Sequence, residues 1–419
     1  MNPKNVTSRY FRFVCDPGEL PAVEDLLRAQ GYTWNNLDIS PWCKELVDEP
    51  SPLGDSLAAR FGLIYIQDKS SMLPPLLLDP PQGAMVLDMC ASPGSKTGLL
   101  AQLVGPEGFV LGNEPSRDRL ATLRQNLRRL NLANTATCSY AGEKLPLEPD
   151  SLEYILLDPP CSGWGTTDKN PNILEVWNDE KTGQLETLQR RLLERAADAL
   201  APGGRMIFST CTTNVRENEE QVVYALEHLG LELKPLPPVP GLVFETPKLG
   251  LEGVLRVDMK ASRSQGFFMA CFGKAGASGS ASIVGGKDPR SIPGRPVDPA
   301  STAPLVPPAQ LSALPPGSLY DFTGRVMLLH EHSAKLPASL RWQGFPVGKF
   351  AGKTFRPDSS IRQLVPAWKE GNGLNLDSVE PLLALLSGQS LEAPAKGTGL
   401  YYKGLSLGRF TRKGKRALR

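Results

Sequence analysis

Between residues 84 and 274 short apolar runs alternate with segments of helical period, and this alternation limits the possible folds more than any other feature of the chain. Strand-like runs fall at 85–89, 109–112, 136–140, 154–157 and 206–209, with helical spacing between them. One intervening segment puts Leu120, Leu123, Leu127 and Leu130 on a single face, with Ser116 as its N-cap. Such alternation predicts an α/β domain: a mostly parallel sheet with helices on both faces. A Glu-rich helix over 217–229 follows, then two more runs at 254–257 and 267–272 that read as an antiparallel closing pair.

The flanking stretches have other textures. Residues 1–80 combine an apolar run at 10–15, an amphipathic helix at 21–30, an aromatic stretch at 34–42 and a segment at 64–74, which together read as a small α+β region. Residues 275–317 are dense in Gly, Ser, Ala and Pro with little apolar periodicity and read as a flexible linker. Residues 318–419 have short apolar runs and turn residues, as expected of a compact β-rich module. Net charge is only +2, so any affinity for nucleic acid must come from local patches. One such patch closes the chain: Lys403, Arg409, Arg412, Lys413, Lys415, Arg416 and Arg419, with no acidic residue among residues 403–419.

The seven cysteines form no CxxC pair and no regular framework, and the first residues lack the charged start and apolar stretch of a signal peptide. A cytoplasmic protein with reduced thiols is expected. No apolar stretch approaches the roughly 18 residues of a membrane span. His228, His330 and His332 lack ligand spacing, so no metal site is expected.

Two of the cysteines sit where chemistry would be. Cys161 ends the run that leads through Asp158, and Cys211 ends the run that starts at Arg205. In a doubly wound sheet ligands bind at the carboxyl ends of the strands, so Cys161, Cys211 and Asp158 should meet at one crevice. The first strand leads there into Asp88-Met89-Cys90-Ala91-Ser92-Pro93-Gly94-Ser95-Lys96-Thr97. A small-residue turn lets the backbone approach a ligand, and a helix start attracts an anionic group. The dinucleotide pattern GxGxxG is absent, and Cys90 and Ser95 stand where a P-loop needs glycine. S-adenosylmethionine remains as the ligand that suits the turn, and Glu114, ending the second strand, is placed to take both ribose hydroxyls.

The segments Cys90-Ala-Ser-Pro-Gly-Ser-Lys96-Thr97, Asp158-Pro-Pro-Cys161-Ser-Gly163 and Ser209-Thr-Cys211-Thr, followed by Glu217-Asn218-Glu219-Glu220, resemble the motifs of the RNA cytosine-C5 methyltransferases of the Nop2/Sun family. Pro41-Trp42-Cys43, the 65–74 segment, the Gly94-Ser95-Lys96 variant of the turn and Asn113-Glu114 are similar to the F-type branch of bacterial small-subunit rRNA enzymes. The resemblance covers about residues 10–274 and implies a Rossmann-like methyltransferase domain over 81–274, an N-terminal RNA-binding region over 1–80 and a PUA-like RNA-binding module over 318–419. It further implies Cys211 as nucleophile, Cys161 as the thiol of product release, Asp158 as the acid beside the target base, and Cys90, Ala91, Ser92, Pro93, Gly94, Ser95, Lys96, Glu114 and Asp158 as cofactor contacts. The sequence departs from the family at Ala141, where an Asp near the adenine is usual, and at Arg256-Val257-Asp258, where the family has Pro-His.

The chemistry explains the residue types. Carbon 5 of cytosine becomes nucleophilic only after a thiolate adds at carbon 6, and an unperturbed cysteine is only a few per cent ionised at neutral pH. Lys96 and a helix start are candidates for the field that ionises it. Burial beside Leu156 and Leu157 would help Asp158 hold a proton for the pyrimidine. Cys90 is expected to pack, as are Cys15, Cys43, Cys138 and Cys271. Trp164, Trp177 and the segment Asp168-Lys169-Asn170-Pro171 could contact a splayed nucleotide. The expected substrate is rRNA, free or in a ribosomal subunit, with tRNA as the alternative. The expected partners exclude DNA and membranes, and a monomer is expected. Competing functions are an amino-group methyltransferase, suggested by Asp158-Pro-Pro, and a catalytically idle RNA-binding assembly factor.

Overall fold

The computed structural model describes residues 8–168, 170–276, 292–303 and 305–418. Four strands open the chain, β1 (Tyr10–Phe13), β2 (Thr33–Leu37), β3 (Ser40–Asp48) and β4 (Ile64–Ile66), paired antiparallel in the order β2-β3-β1-β4. Helices α1 (Leu20–Arg28) and α2 (Leu57–Arg60) cover them, and α3 (Lys69–Leu78) leads into the next domain. Arg12 fixes this region to its neighbour. Its fully buried guanidinium donates to Gln67 at 3.2 Å, to Gln102, and to the carbonyl of Ser95 at 3.3 Å.

The five strand-like runs become β5 (Met85–Asp88), β6 (Phe109–Asn113), β7 (Thr135–Cys138), β8 (Leu152–Leu157) and β9 (Leu200–Thr210), all parallel and ordered β7-β6-β5-β8-β9. They read as unbroken apolar runs because both faces are covered. Leu87, Leu111, Ile155, Leu157 and Phe208 face one core, with Leu192, Leu193, Val222 and Ala225 against them. Val86, Val110, Leu156 and Ile207 face the other, with Leu73, Leu100, Ala101, Leu120, Leu123 and Leu127. The covering helices are α3, α4 (Ser95–Val104) and α5 (Arg117–Arg129) on the second face, and α7 (Asp179–Ala199) and α8 (Glu219–His228) on the first; the short α6 (Ile173–Val176) follows β8. Ser116 occupies the N-cap position of α5, but its side chain makes no cap bond; its N–H donates instead to Glu114.

Beyond β9 the sheet turns antiparallel. Strands β10 (Leu231–Lys234), β11 (Phe244–Glu245), β12 (Leu255–Val257) and β13 (Phe267–Lys274) follow, with β13 running antiparallel to β9 and flanked by β12 and β10. The expected closing pair is present.

The C-terminal part differs from the expectation in two ways. Residues 292–303 and 305–317 are folded structure, not linker: β14 (Arg295–Pro296) pairs with β15 (Gly317–Phe322), α9 (Pro308–Leu311) lies between them, and Val306 and Leu314 are buried. A segment with several fixed proline φ angles loses less entropy on ordering, so a few apolar anchors suffice. The rest of that segment, 277–291, lies outside the described residues. Second, residues 318–418 form two units. Strands β15, β16 (Arg325–His330), β18 (Phe345–Ala351) and β19 (Thr354–Pro357) join β14 in one antiparallel sheet with its own core around Val326, Phe345, Val347 and Phe355. Between them β17 (Trp342–Gln343) leaves to pair antiparallel with β7, extending the central sheet.

The remaining strands, β20 (Gly373–Leu376), β21 (Leu391–Glu392), β22 (Gly399–Tyr402), β23 (Leu405–Arg409), β24 (Thr411–Lys413) and β25 (Arg416–Leu418), with α10 (Glu380–Leu386), build two small sheets. Their apolar side chains do not close a core alone. Leu382, Leu385, Leu400, Tyr402, Leu405, Phe410 and Ala417 share one cluster with Phe11, Phe13, Val23, Leu26 and Leu27 of the N-terminal region. Tyr402 and Lys403 both donate to Asp25, at 2.6 and 2.8 Å. Among the described residues no helix is long and apolar enough to cross a membrane.

Candidate active site

Parallel pairing brings the carboxyl ends of β5, β6, β8 and β9 to one edge, and Cys90, Lys96, Glu114, Asp158, Cys161 and Cys211 lie there or in the segments just beyond. The turn after β5 is held from two sides. The Ala91 N–H donates to the Asn113 carbonyl at 2.9 Å, and the carbonyls of Ser92 and Pro93 accept from Arg119 at 3.2 Å and Asn126 at 2.8 Å. Gly94 has φ +100° at the N-cap of α4, and a Cβ there would meet Leu123 at 3.0 Å, so glycine is required. Asn113 ties three strand ends together by donating to the carbonyls of Met89 and Tyr140 and accepting from the Tyr140 N–H.

Glu114 is 2% exposed. Its Oε1 accepts from the Ser116 N–H at 2.9 Å and its Oε2 lies 3.4 Å from Arg119. A carboxylate offers about four lone-pair sites, so two remain for a ligand's hydroxyls. The turn, the first N–H groups of α4 and this carboxylate fit a charged nucleoside ligand. Asp88, below the turn, accepts from Thr97 Oγ1 at 2.6 Å, and burial pushes its carboxyl up to about 6.

At the other end of the crevice Asp158 is fixed by two partners. Lys96 Nζ lies 2.7 Å from its Oδ2, and Ser209 Oγ donates to its Oδ1 at 2.7 Å. Leu156 and Leu157, expected to make its surroundings apolar, instead point into the two cores, because successive strand residues face opposite ways. Burial alone would lower the Lys96 ammonium, but the ion pair and hydrogen bond to Asp158 outweigh it and raise it. The ammonium also lies 5.1 Å from the centroid of the Phe267 ring.

The two thiols meet: Cys161 Sγ is 3.3 Å from Cys211 Sγ. They do not share protons equally. A hydrogen bond from Cys161 lowers the Cys211 thiol, helped by the Lys96 charge and opposed by burial and Asp158; the same bond, with burial, raises Cys161 well above the ordinary range. Cys211 is therefore the more acidic thiol of the pair.

Sequence reasoning missed what holds the thiols together. Glu217, fully buried, accepts from the Ser162 N–H at 2.9 Å and from the Ser162 hydroxyl beside Cys161. It also accepts from Asn214 at 3.1 Å, in the loop after Cys211, and from Gln189 of α7 at 3.0 Å. Ser162 and Thr212 bond directly at 2.7 Å. Gly165 passes so close to the Cys211 strand end that its Cβ would lie 2.8 Å from the Cys211 carbonyl and 2.2 Å from that of Gly266. Arg256, in the place of the family's Pro-His, is a buried brace: it donates to both oxygens of Glu219 at 2.9 Å and to the Thr213 carbonyl at 3.0 Å. Glu217, preceded by Thr212, Thr213 and Asn214 and followed by Asn218 after the second cysteine, was the available signal.

Trp164 and Trp177 are both half-buried, and Trp164 Nε1 donates to the Trp177 carbonyl at 3.0 Å. Asp168 is exposed, whereas Lys169 lies outside the described residues, as does Arg419 of the basic tail. Ala141 caps the short turn Gly142–Lys144, and the half-buried Glu143 follows it.

A parallel sheet of this order, with an antiparallel strand beside β9 and a small-residue turn after β5, is a Rossmann-like methyltransferase fold. The description "16S rRNA methyltransferase RsmB/F" matches residues 75–273. A methyltransferase homolog protein from Pyrococcus horikoshii is 33% identical, with TM-score 0.54, covering 64% of this chain and 86% of that one. The chain belongs to the RsmB/F family of methyltransferases. The Ribosomal RNA small subunit methyltransferase F of Serratia proteamaculans is 37% identical over 264 residues, 60% of this chain and 54% of that protein. The chain thus spans about half the length of the curated relatives it matches. NSun6 from Pyrococcus horikoshii, solved with SFG, is 21% identical with TM-score 0.56 over 65% of this chain and 92% of that one, a likeness of fold.

Proposed function

We propose that this protein methylates carbon 5 of a cytosine in RNA, with small-subunit rRNA as the substrate, through a covalent adduct on Cys211. The observation that carries the reading is the pair of thiols 3.3 Å apart, unequal in acidity, beside the Lys96–Asp158 pair. The names of the relatives support rRNA as the substrate class.

Cys90, Ala91, Ser92, Pro93, Gly94, Ser95, Lys96, Glu114 and Asp158 would hold S-adenosylmethionine, which when bound would supply an electrophilic methyl group. The Cys211 thiolate adds to carbon 6 of the flipped cytosine, and the displaced electron pair makes carbon 5 nucleophilic. Asp158, pinned by Lys96 and Ser209, faces the pyrimidine edge where charge changes, and Lys96 supplies positive field. Once carbon 5 carries the methyl group its proton leaves to a base, the carbon 6 to sulfur bond breaks, and Cys211 regains its electron pair. Cys161, with its thiol held up in the neutral form, is the neighbour able to exchange a proton with Cys211 as that bond breaks.

The test is a pair of variants incubated with rRNA and cofactor. Cys211→Ala abolishes methyl transfer, and Cys161→Ala accumulates a protein–RNA adduct that survives denaturation. An adduct in Cys211→Ala would reverse the two roles. Methyl found on an exocyclic nitrogen would overturn the carbon 5 assignment. Bisulfite sequencing of RNA from cells with and without the protein identifies the target cytosine.

A further inference from the structure

Between α5 and the antiparallel sheet of β14, β15, β16, β18 and β19 lies a cleft of about 840 Å³ with a strongly basic lining. One wall carries Arg124 and Arg128 of α5, and the other carries Arg325, Lys349 and Arg356. The register makes the second wall unusual. Arg325 on β16 stands opposite Lys349 on β18, and Lys349 stands opposite Arg356 on β19, so three cations share one row across three strands. All three are exposed. Like charges directly opposite one another destabilise a sheet, and among the described residues no ion pair relieves these three. Arg128 across the cleft is paired with Asp358, the one acid in the lining. A chain with a net charge of only +2 has concentrated five cations here.

We propose that this row is a phosphate-binding track for the backbone of the RNA substrate. Guanidinium forks match phosphate oxygens in pairs, and three cations in line suit successive phosphodiesters better than a single anion. The lining's only aromatic residue, Phe345, is buried in the sheet's own core, which leaves no ring on which a base could stack. The track therefore positions the strand without reading its sequence. It also has a direct mechanical link to the cofactor turn, because α5 forms one wall and holds Ser92 and Pro93 through Arg119 and Asn126. This inference rests on RNA being the substrate.

The experiment uses the full chain and the triple variant Arg325→Ala, Lys349→Ala, Arg356→Ala. Removing mutually repelling surface charges leaves the fold intact, checked by an unchanged melting curve. Binding of an rRNA fragment is measured from about 50 to 300 mM salt, where each phosphate contact contributes roughly 0.9 or less to the slope of log K against log salt. The triple variant is expected to lose about 2–3 from that slope, to bind at least tenfold more weakly at low salt, and to raise KM for RNA while keeping kcat at saturating RNA within about twofold. A control variant, Lys353→Ala with Lys369→Ala, removes two exposed lysines outside the row and keeps the wild-type slope. An unchanged slope in the triple variant overturns the proposal, as does an equal loss in the control. Inorganic phosphate that binds the row at millimolar concentration without competing with RNA would assign it to a free anion and overturn the track as well. Failure of the wild-type protein to methylate RNA strikes the reading of the previous section, whereas the salt slope judges only the track.

Discussion

Replacing Cys161 by alanine should change the acidity of Cys211, and the size of the change follows from the geometry. The two sulfurs lie 3.3 Å apart, and a hydrogen bond from Cys161 is the largest influence lowering the Cys211 thiol. A hydrogen bond to a charged partner contributes about 1.5–3 kcal/mol, and a thiol is a weak donor, so the lower end, about 1.5 kcal/mol, applies. At about 1.4 kcal/mol per tenfold in an equilibrium constant, the loss makes the Cys211 thiolate about tenfold scarcer at a given pH below its inflection. Burial and the Asp158 charge, which oppose ionisation, remain in the variant, and so does Lys96. The assay is the rate of Cys211 alkylation by iodoacetamide against pH without RNA, with the modified residue located by mass spectrometry. The inflection should move up in Cys161→Ala, cutting the rate about tenfold below it. Cys161→Ser, which keeps an O–H donor, should restore most of the shift. Coincident curves for wild type and Cys161→Ala, or preferential alkylation of Cys161 in the wild type, would refute the assigned direction of the hydrogen bond.

Lys96→Met should also move the Cys211 inflection upward and should weaken cofactor binding, read by calorimetry, because Asp158 loses its counter-ion. Asp88 provides a stability test with a definite sign. Its folded pKa of about 6 lies above the ordinary 3.8, so its contribution to stability is full below about pH 4 and is lost as pH rises through 6. At about 1.4 kcal/mol per tenfold the loss is about 3 kcal/mol. Asp88→Asn, whose amide oxygen can still accept from Thr97, should exceed wild type in urea stability by up to that amount at pH 8 and match it near pH 4. Glu217→Ala should cost at least 3 kcal/mol in the same assay, since it strands several buried donors, and should disperse the two thiols so that their alkylation curves become independent. Arg256→Leu leaves Glu219 buried without its partner and should cost about 3–5 kcal/mol.

The central domain was legible because its signals are local. Each parallel strand is an apolar run, Leu120, Leu123 and Leu127 repeat at helical spacing, and Cys161, Cys211, Asp158, Lys96 and Glu114 all lie at or just beyond strand ends. The carboxyl-end rule then brings the reactive groups together without knowledge of the loops. What stayed hidden depends on segments far apart in sequence. Glu217 gathers Ser162, Gln189 and Asn214 from three separate segments, and no periodicity marks such a cluster. Strand β17 is two residues long and joins the central sheet from a region with its own fold. The proline-rich stretch 292–317 looked unstructured because its burial rests on isolated residues such as Val306 and Leu314 rather than on a repeating face.

The cluster that joins Phe11 and Phe13 to Phe410 and Ala417 has a consequence for how the chain is made. Polypeptides emerge from the ribosome at about 5–20 residues per second, so the first of these residues waits roughly 20–80 s for the last. During that interval the N-terminal strands and α1 hold an uncovered apolar face, although the central domain behind them can already close. Vectorial folding here runs from the middle outward. A fragment cut after Lys274 would carry the strand-end crevice and keep that face bare permanently, so its insolubility would reflect a missing cover and not a defect in the crevice.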